Sequence, residues 1–455
     1  MLTTIRSRVR DMALRWYVYL YDKGRNGRLT WELAALALLT RYFLRGGPLE
    51  NRLSLLGAAY RRTSFPSLQR LIERRLAPWL QPAMADVWRR KRIGWARYER
   101  YLTDRTLHKS LILKPPSADG EKGVLYVSFE VNWLRLLTHG DIGRLLDDYY
   151  FVGASSSSPP DFRAHWALAH AGPDPIFLQV SNPAEVVLHR RLPHNISPLP
   201  LMACDWINPD FYNPRPHASR EIDILMVAGW SRIKRHWLLF RALRGMRKNL
   251  RVVLIGQDME GRTADDVFRE AQAFGVARRL EIIRDAPVDM VSDHLCNSKV
   301  SMVLSRREGS SMAVTESFFA DAPVALVANA HIGSRAYINA RTGTLVDPGK
   351  LARALSAFVE ESSSYAPRAW AMQHISCLQS ADRLNAILRA QAVERGRPWT
   401  HDIKPLCWRP DPVYVHPGDT LVMQPAYEDL AERHGIVVAG HRPAAESTRG
   451  LTVRK

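Results

Sequence analysis

The sequence predicts an α/β protein of two parallel-sheet domains behind a helical, strongly basic N-terminal segment. Three observations carry this. Residues 299–328 read as strand, turn, helix and strand: an apolar run rich in β-branched types, the polar turn SRREGSS, about ten residues of helical pattern, and a second apolar run after Pro323. From about residue 106 short apolar runs alternate with helical stretches, the pattern of a parallel sheet. Ahead of them, residues 1–105 place apolar side chains at helical spacing with arginines between.

That segment is unusual in charge. Residues 1–100 hold 21 Lys and Arg against 7 Asp and Glu, so +14 of the chain's formal +19 lies there. Helical windows fall around Trp16, Tyr17, Tyr19 and Leu20, then at 31–44, 68–80 and 87–101. The last, VWRRKRIGWARYERYL, interleaves Trp88, Trp95 and Tyr98 with basic residues. Such a helix suits an anionic bilayer and equally suits docking by its aromatic face on its own domain, with nucleic acid a third reading. Residues 22–32 resemble the start of an EF-hand loop, with Asp22 first, Asn26 fifth, Gly27 sixth and Leu29 eighth. The third and twelfth places hold Gly24 and Leu33, and Glu32 comes one residue early, so a helix-turn-helix without calcium is expected.

The N-terminus lacks the apolar core and small-residue cleavage site of a signal peptide. The most apolar window, 33–39, is far short of a span and is followed by Arg41 and Arg45. Cys204, Cys296, Cys377 and Cys407 lie far apart with no C-x-x-C, so reduced thiols are expected. The expected location is cytoplasmic, with attachment at the inner membrane face left open.

The first sheet domain is expected over 106–216. It opens on a turn-rich linker, KSLILKPPSADGEKG, and continues with strands at 123–129, 149–153 and 176–180 and helices at 133–146 and 161–170. Its strand ends offer Glu130, Asn132, the serine run 155–158, Ser181 and Asn182, polar residues that any loop would also carry. The second, over 217–362, begins with a strand at 222–228, the turn GWSRIKRH and a helix to about 246, followed by strands at 251–255 and 280–283. Residues 363–455 are read as one long helix, 367–394, and a Pro- and Trp-containing tail with a disordered end, HRPAAESTRGLTVRK.

Ligands of open α/β sheets sit at the carboxyl ends of the strands, which here means residues 305–311. Gly309 lets a ligand approach the backbone, and Ser310 or Ser311 is a candidate N-cap. The first amides of the following helix would face a phosphate or diphosphate. Glu308 lies in the turn, and Glu316 lies roughly 8–9 Å along the helix from its start. There is no Asp-x-Asp, no G-x-G-x-x-G and no Walker lysine, so a metal-dependent transferase of the other major fold, a dinucleotide enzyme and a P-loop NTPase are all disfavoured.

SRREGSSMAVTES followed by FFADAPVALVA resembles the donor-site motif of the group 1 glycosyltransferases, retaining enzymes with two Rossmann-like domains in the GT-B arrangement. Ser305, Glu308, Gly309, Glu316, Pro323 and Val324 occupy the motif's places. The resemblance extends over about 200–360: Asp210, Phe211 and Pro214 match the strand-to-linker passage, Ala286, Pro287 and Val288 lie where the nucleobase is held, and 333–339 with 343–348 match the closing pattern. Gly229 opens the first turn, Trp230 stands in the usual Arg place, and Lys234 arrives about one residue early.

The fold this implies is a GT-B-like pair of Rossmann-like domains with a helical basic N-terminal extension. The implied activity is transfer of a sugar from a nucleotide-diphosphate-sugar donor to an unknown acceptor, whether glycan, lipid or small molecule. It would proceed with retention, without metal or other cofactor. Glu308, Lys234 and Arg232 would be catalytic, Glu308 on the donor sugar and the two cations on the diphosphate. Gly229, Gly309, Ser310 and Ser311 would line the donor and Glu316 would bind its ribose. The alternative is a non-catalytic protein of the same fold, a ligand-binding or scaffold module held at an anionic membrane by its basic region.

Overall fold

A computed structural model describes residues 2–90, 92, 95–154 and 163–441. The chain divides into two compact units, one of residues 1–31 and 207–376, the other of 32–206 and 377–455.

The first unit is built on six parallel strands in the order Gly343–Val346, Val324–Val327, Ser298–Val303, Ile222–Val227, Val252–Gly256 and Leu280–Arg284. Its inner strands are apolar on both faces because helices cover both, and residues such as Ile224, Leu225, Val253, Leu254 and Val300 are fully buried. The chain winds outward from 222 to 284 and then returns to the other side of the Ile222–Val227 strand. The winding therefore reverses between that strand and Ser298–Val303, and the crevice of such a sheet opens where it reverses. The two loops leaving these strands are those that hold Gly229 to Lys234 and Ser305 to Ser311.

Helix α1 (Leu2–Asn26) belongs to this unit. Val18 is buried against it, Tyr19 meets the Trp237 ring edge-on at 6.0 Å, and Asp22 makes two bonds to Arg235, at 2.8 and 2.9 Å. The expected helix-turn-helix is present, with Gly27 between α1 and α2 (Arg28–Leu44). A Cβ on Gly27 would stand 2.2 Å from the Lys23 carbonyl oxygen, so the turn requires glycine. Asp22, first residue of the calcium-like pattern, is consumed by Arg235 and by the Asn26 amide at 2.8 Å.

The second unit holds a five-stranded sheet, Leu111–Lys114, Gly123–Ser128, Tyr149–Ala154, Ile176–Gln179 and Ile196–Leu199, parallel except for its first pair. The C-terminal residues pack back onto it. Tyr414 donates to the Ile112 carbonyl at 2.6 Å, the Ile112 amide donates to the Tyr427 hydroxyl at 3.1 Å, and Val437–Val438 pairs in parallel with Thr106–Leu107.

Several expectations need correction. The compact units divide the chain after Trp31, Trp206 and Ser376, beside the expected segments 1–105, 106–216, 217–362 and 363–455. The basic N-terminal region is helical as expected, and the Asp22–Arg235 pair ties its first helix to the first unit. The predicted linker after residue 108 contains an edge strand, Leu111–Lys114, and the Ile196–Leu199 strand went unpredicted. The helix over 133–146 is two, Glu130–His139 and Ile142–Asp148, divided at Gly140. The helix over 367–394 is also two, Pro367–His374 and Cys377–Glu394, because Ile375 is extended at φ −143° and ψ 138°. The tail contains a further helix, Asp419–His434.

The aromatic helix over 87–101 is a short helix, Ala85–Arg90, and a 3₁₀ turn, Ala96–Tyr101. Trp88 and Trp95 are buried, and Trp88 meets Trp166 edge-on at 5.0 Å. Trp88 and Trp95 thus turn inward on their own unit. The serine run 155–158, the first two residues of the helix expected at 161–170, and all but the first residue of the disordered end lie outside the described residues.

Candidate active site

The loop after Ile222–Val227 supplies the cation. Trp230 fills the core, fully buried, and a Cβ on Gly256 would stand 3.0 Å from its ring. The side chain in the usual Arg place is thus a packing residue. A single 3₁₀ turn follows, Arg232–Lys234, with the Ser231 hydroxyl accepting from the Ile233 amide at 3.3 Å. Arg235 ends it in the left-handed conformation, φ 59° and ψ 39°, and is buried. A non-glycine residue holds that conformation at a cost, here offset by the fork of bonds to Asp22 and a further one to the Leu304 carbonyl at 3.3 Å.

The second loop is stitched to the segment 331–334. The His331 amide donates to the Arg306 carbonyl at 2.6 Å, the Glu308 amide to the His331 carbonyl at 3.2 Å, and the Gly333 amide to the Gly309 carbonyl at 2.9 Å. Ser311 occupies the N-cap of the helix Met312–Phe319, as expected, but its hydroxyl makes no capping bond and its amide points to the Ser334 hydroxyl at 3.4 Å. The loop is therefore held rigid through its backbone, with the helix start not closed by its own cap.

The two loops meet at one contact. Lys234 Nζ lies 2.6 Å from Glu308 Oε1, and both side chains are largely buried. Residues 74 positions apart in sequence form a charge-assisted hydrogen bond at the carboxyl ends of adjacent strands. Glu316 lies on the helix beyond Ser311, where burial pushes its carboxyl up to about 7 against a lowering hydrogen bond from Tyr212.

Arg232 is placed differently from its expected partner Lys234. Its guanidinium lies over the rings of Tyr17 and Tyr21 in α1, at 5.2 and 5.1 Å. Arg307, in the turn itself, lies 3.8 Å from the Trp31 ring centre. Cations flanking the turn are thus met by aromatic side chains of the first two helices. Sequence reasoning missed Tyr17, Tyr21, Trp31, Asp22 and Arg235 as neighbours of this site. The signal was the spacing of Tyr17 and Tyr21, four apart and so on one helix face. In the second unit, Asn132 bonds the His108 and Ser128 carbonyls, both at 2.6 Å, and Glu130 accepts from Tyr98. These are structural roles.

Residues 210–369 match the family described as Glycosyl transferases group 1. The matched segment lies wholly within the first unit and contains Gly229, Arg232, Lys234, Glu308 to Ser311 and Glu316. No curated protein matches the chain. Among solved structures, the sucrose-phosphate synthase of Thermosynechococcus elongatus is similar at 15% identity, covering 60% of this chain and 74% of that one with a TM-score of 0.47. Anabaena Alr3699/HepE in complex with UDP is similar at 12% identity, covering 57% and 76% with a TM-score of 0.46. The pneumococcal O-GlcNAc transferase GtfA in complex with UDP and GlcNAc is similar at 14% identity over 51% of this chain, which spans half the length of that one, with a TM-score of 0.36.

Proposed function

We propose that the protein is a glycosyltransferase that takes its sugar from a nucleotide-diphosphate donor held in the turn of residues 305–311, and that it acts with retention and without a metal. The Lys234–Glu308 contact carries this reading. A diphosphate leaving group gains negative charge as its bond to the sugar breaks, and Lys234 with the amides at the start of the Met312–Phe319 helix supplies positive potential there before the reaction begins. Glu308, fixed by the lysine, presents its other oxygen to a sugar hydroxyl. Gly229 and Gly309 to Ser311 form the backbone around the diphosphate, and Glu316 takes the ribose. Arg232 contributes to the potential of the crevice from beneath the Tyr17 and Tyr21 rings. The acceptor is a hydroxyl-bearing molecule.

The Glu316 assignment gives a test with a sign. Burial pushes its carboxyl up to about 7. Ribose hydroxyls that donate to it favour the charged form, so binding lowers its pKa and a proton leaves. Calorimetric titration with a nucleoside diphosphate, in buffers of different ionisation enthalpy, should show proton release just below pH 7 that fades at higher pH. Glu316→Gln should show less, since proton exchange by the nucleotide's own phosphate is common to both proteins. Equal release by the two proteins would remove Glu316 from the ribose.

A further inference from the structure

We propose that helices α1 and α2 each dock, by an outward apolar face, on an anionic lipid bilayer. In α1 the packed side holds Val18 and Asp22, while Val9, Met12, Trp16 and Leu20 are 54%, 50%, 59% and 60% exposed. Their spacing of three, four and four places them on one stripe away from the packed side. In α2 the packed side holds Ala35, Leu39 and Tyr42, and an adjoining side exposes Leu29, Leu33, Leu36, Phe43 and Leu44. Single exposed apolar residues are ordinary, but ten of the 24 large apolar side chains exposed among the described residues fall in these two helices. A helix with apolar residues on both its packed and its outward side has a second surface to cover.

The charges choose the occupant. Residues 1–45 hold nine Lys and Arg and three acids, Asp11, Asp22 and Glu32. Asp22 is spent on Arg235, and Glu32 accepts from the Thr63 hydroxyl and the Ser64 amide, both at 2.7 Å. Arg8, Arg10 and Lys23 are exposed on α1, and Arg41 and Arg45 on α2 and just beyond it. A second copy of the chain would set arginines against arginines, whereas anionic headgroups satisfy them while acyl chains cover the stripe. No helix among the described residues is long and apolar enough to cross a membrane, so the docking is interfacial. Of the two, α1 also engages Arg232 and Arg235 beside the donor turn through its other sides.

The test is co-sedimentation of the full chain with phosphatidylcholine vesicles, with and without phosphatidylglycerol. Binding at least about tenfold tighter to the anionic vesicles, weakening with salt, is expected. Arg41→Glu with Arg45→Glu changes two exposed charges and should lose most of that preference at an unchanged melting temperature. Leu20→Glu should lose binding. Because that variant tests folding as well, quenching of tryptophan fluorescence by brominated acyl chains is compared between wild type and Trp16→Phe, and the substitution should remove part of it. The proposal falls if wild type shows no preference for anionic vesicles, or if quenching is identical in the two proteins. It also falls if the chain alone is a dimer that Leu20→Glu disperses, which would make a second copy the occupant. None of these readouts requires a nucleotide, so they stand or fall apart from the proposed transferase activity.

Discussion

Lys234→Ala should weaken nucleoside-diphosphate binding by about tenfold to a hundredfold, the equivalent of about 1.5–3 kcal/mol for a hydrogen bond to a charged group. The effect has two parts. The phosphate loses its cation, and Glu308, now unpaired in a largely buried position, stands beside the incoming diphosphate as a like charge. Glu308→Gln separates them. It removes the carboxylate and leaves the lysine, so the nucleoside diphosphate should bind at least as tightly, while turnover of the complete donor falls because the sugar has lost its acceptor. Calorimetric titration of both variants with the same nucleotide checks the contrast, and equal weakening would mean that the pair acts only as a structural tie between the two loops.

Asp22→Ala should be the most destabilising of the substitutions considered, by about 3–5 kcal/mol, since it strands Arg235 in a buried, left-handed turn. Most of that cost is the uncompensated charge rather than the strength of the pair. The double variant Asp22→Leu with Arg235→Met should therefore recover much of the loss in thermal or urea unfolding, as buried pairs replaced by apolar residues commonly do. Failure of the double variant to recover would point to the backbone instead: only Arg235 would then hold φ at 59° through its bonds.

The Lys299–Ala328 unit of the fold was legible because its information is local. Val-Ser-Met-Val-Leu, the turn with Glu308 and Gly309, and the helix to Phe319 declare strand, loop and helix within some twenty residues, and the reversal of winding beside Ile222–Val227 then brings Lys234 to Glu308. What remained hidden is carried by long-range pairing. Leu111–Lys114 is four residues followed by two prolines and is read as a linker until Tyr414 and Tyr427 bind its backbone from some 300 residues away. Trp88 and Trp95 have the composition of a membrane helix, and only the fold shows them turned inward, Trp88 against Trp166 and the second unit's core. The aromatic cover over Arg232 was legible only as a shared helix face of Tyr17 and Tyr21, since nothing near them in sequence names the arginine they meet.

The measurement that bears most directly on the donor site is calorimetric titration of the purified chain with UDP, GDP and ADP, without added metal, for wild type and Glu316→Ala. Saturable binding of one nucleotide, weakened by about tenfold in the variant, is the predicted result and would also name the base. Absence of binding by all three in a protein shown to be folded would contradict the donor site, and binding indifferent to Glu316 would place the nucleotide elsewhere.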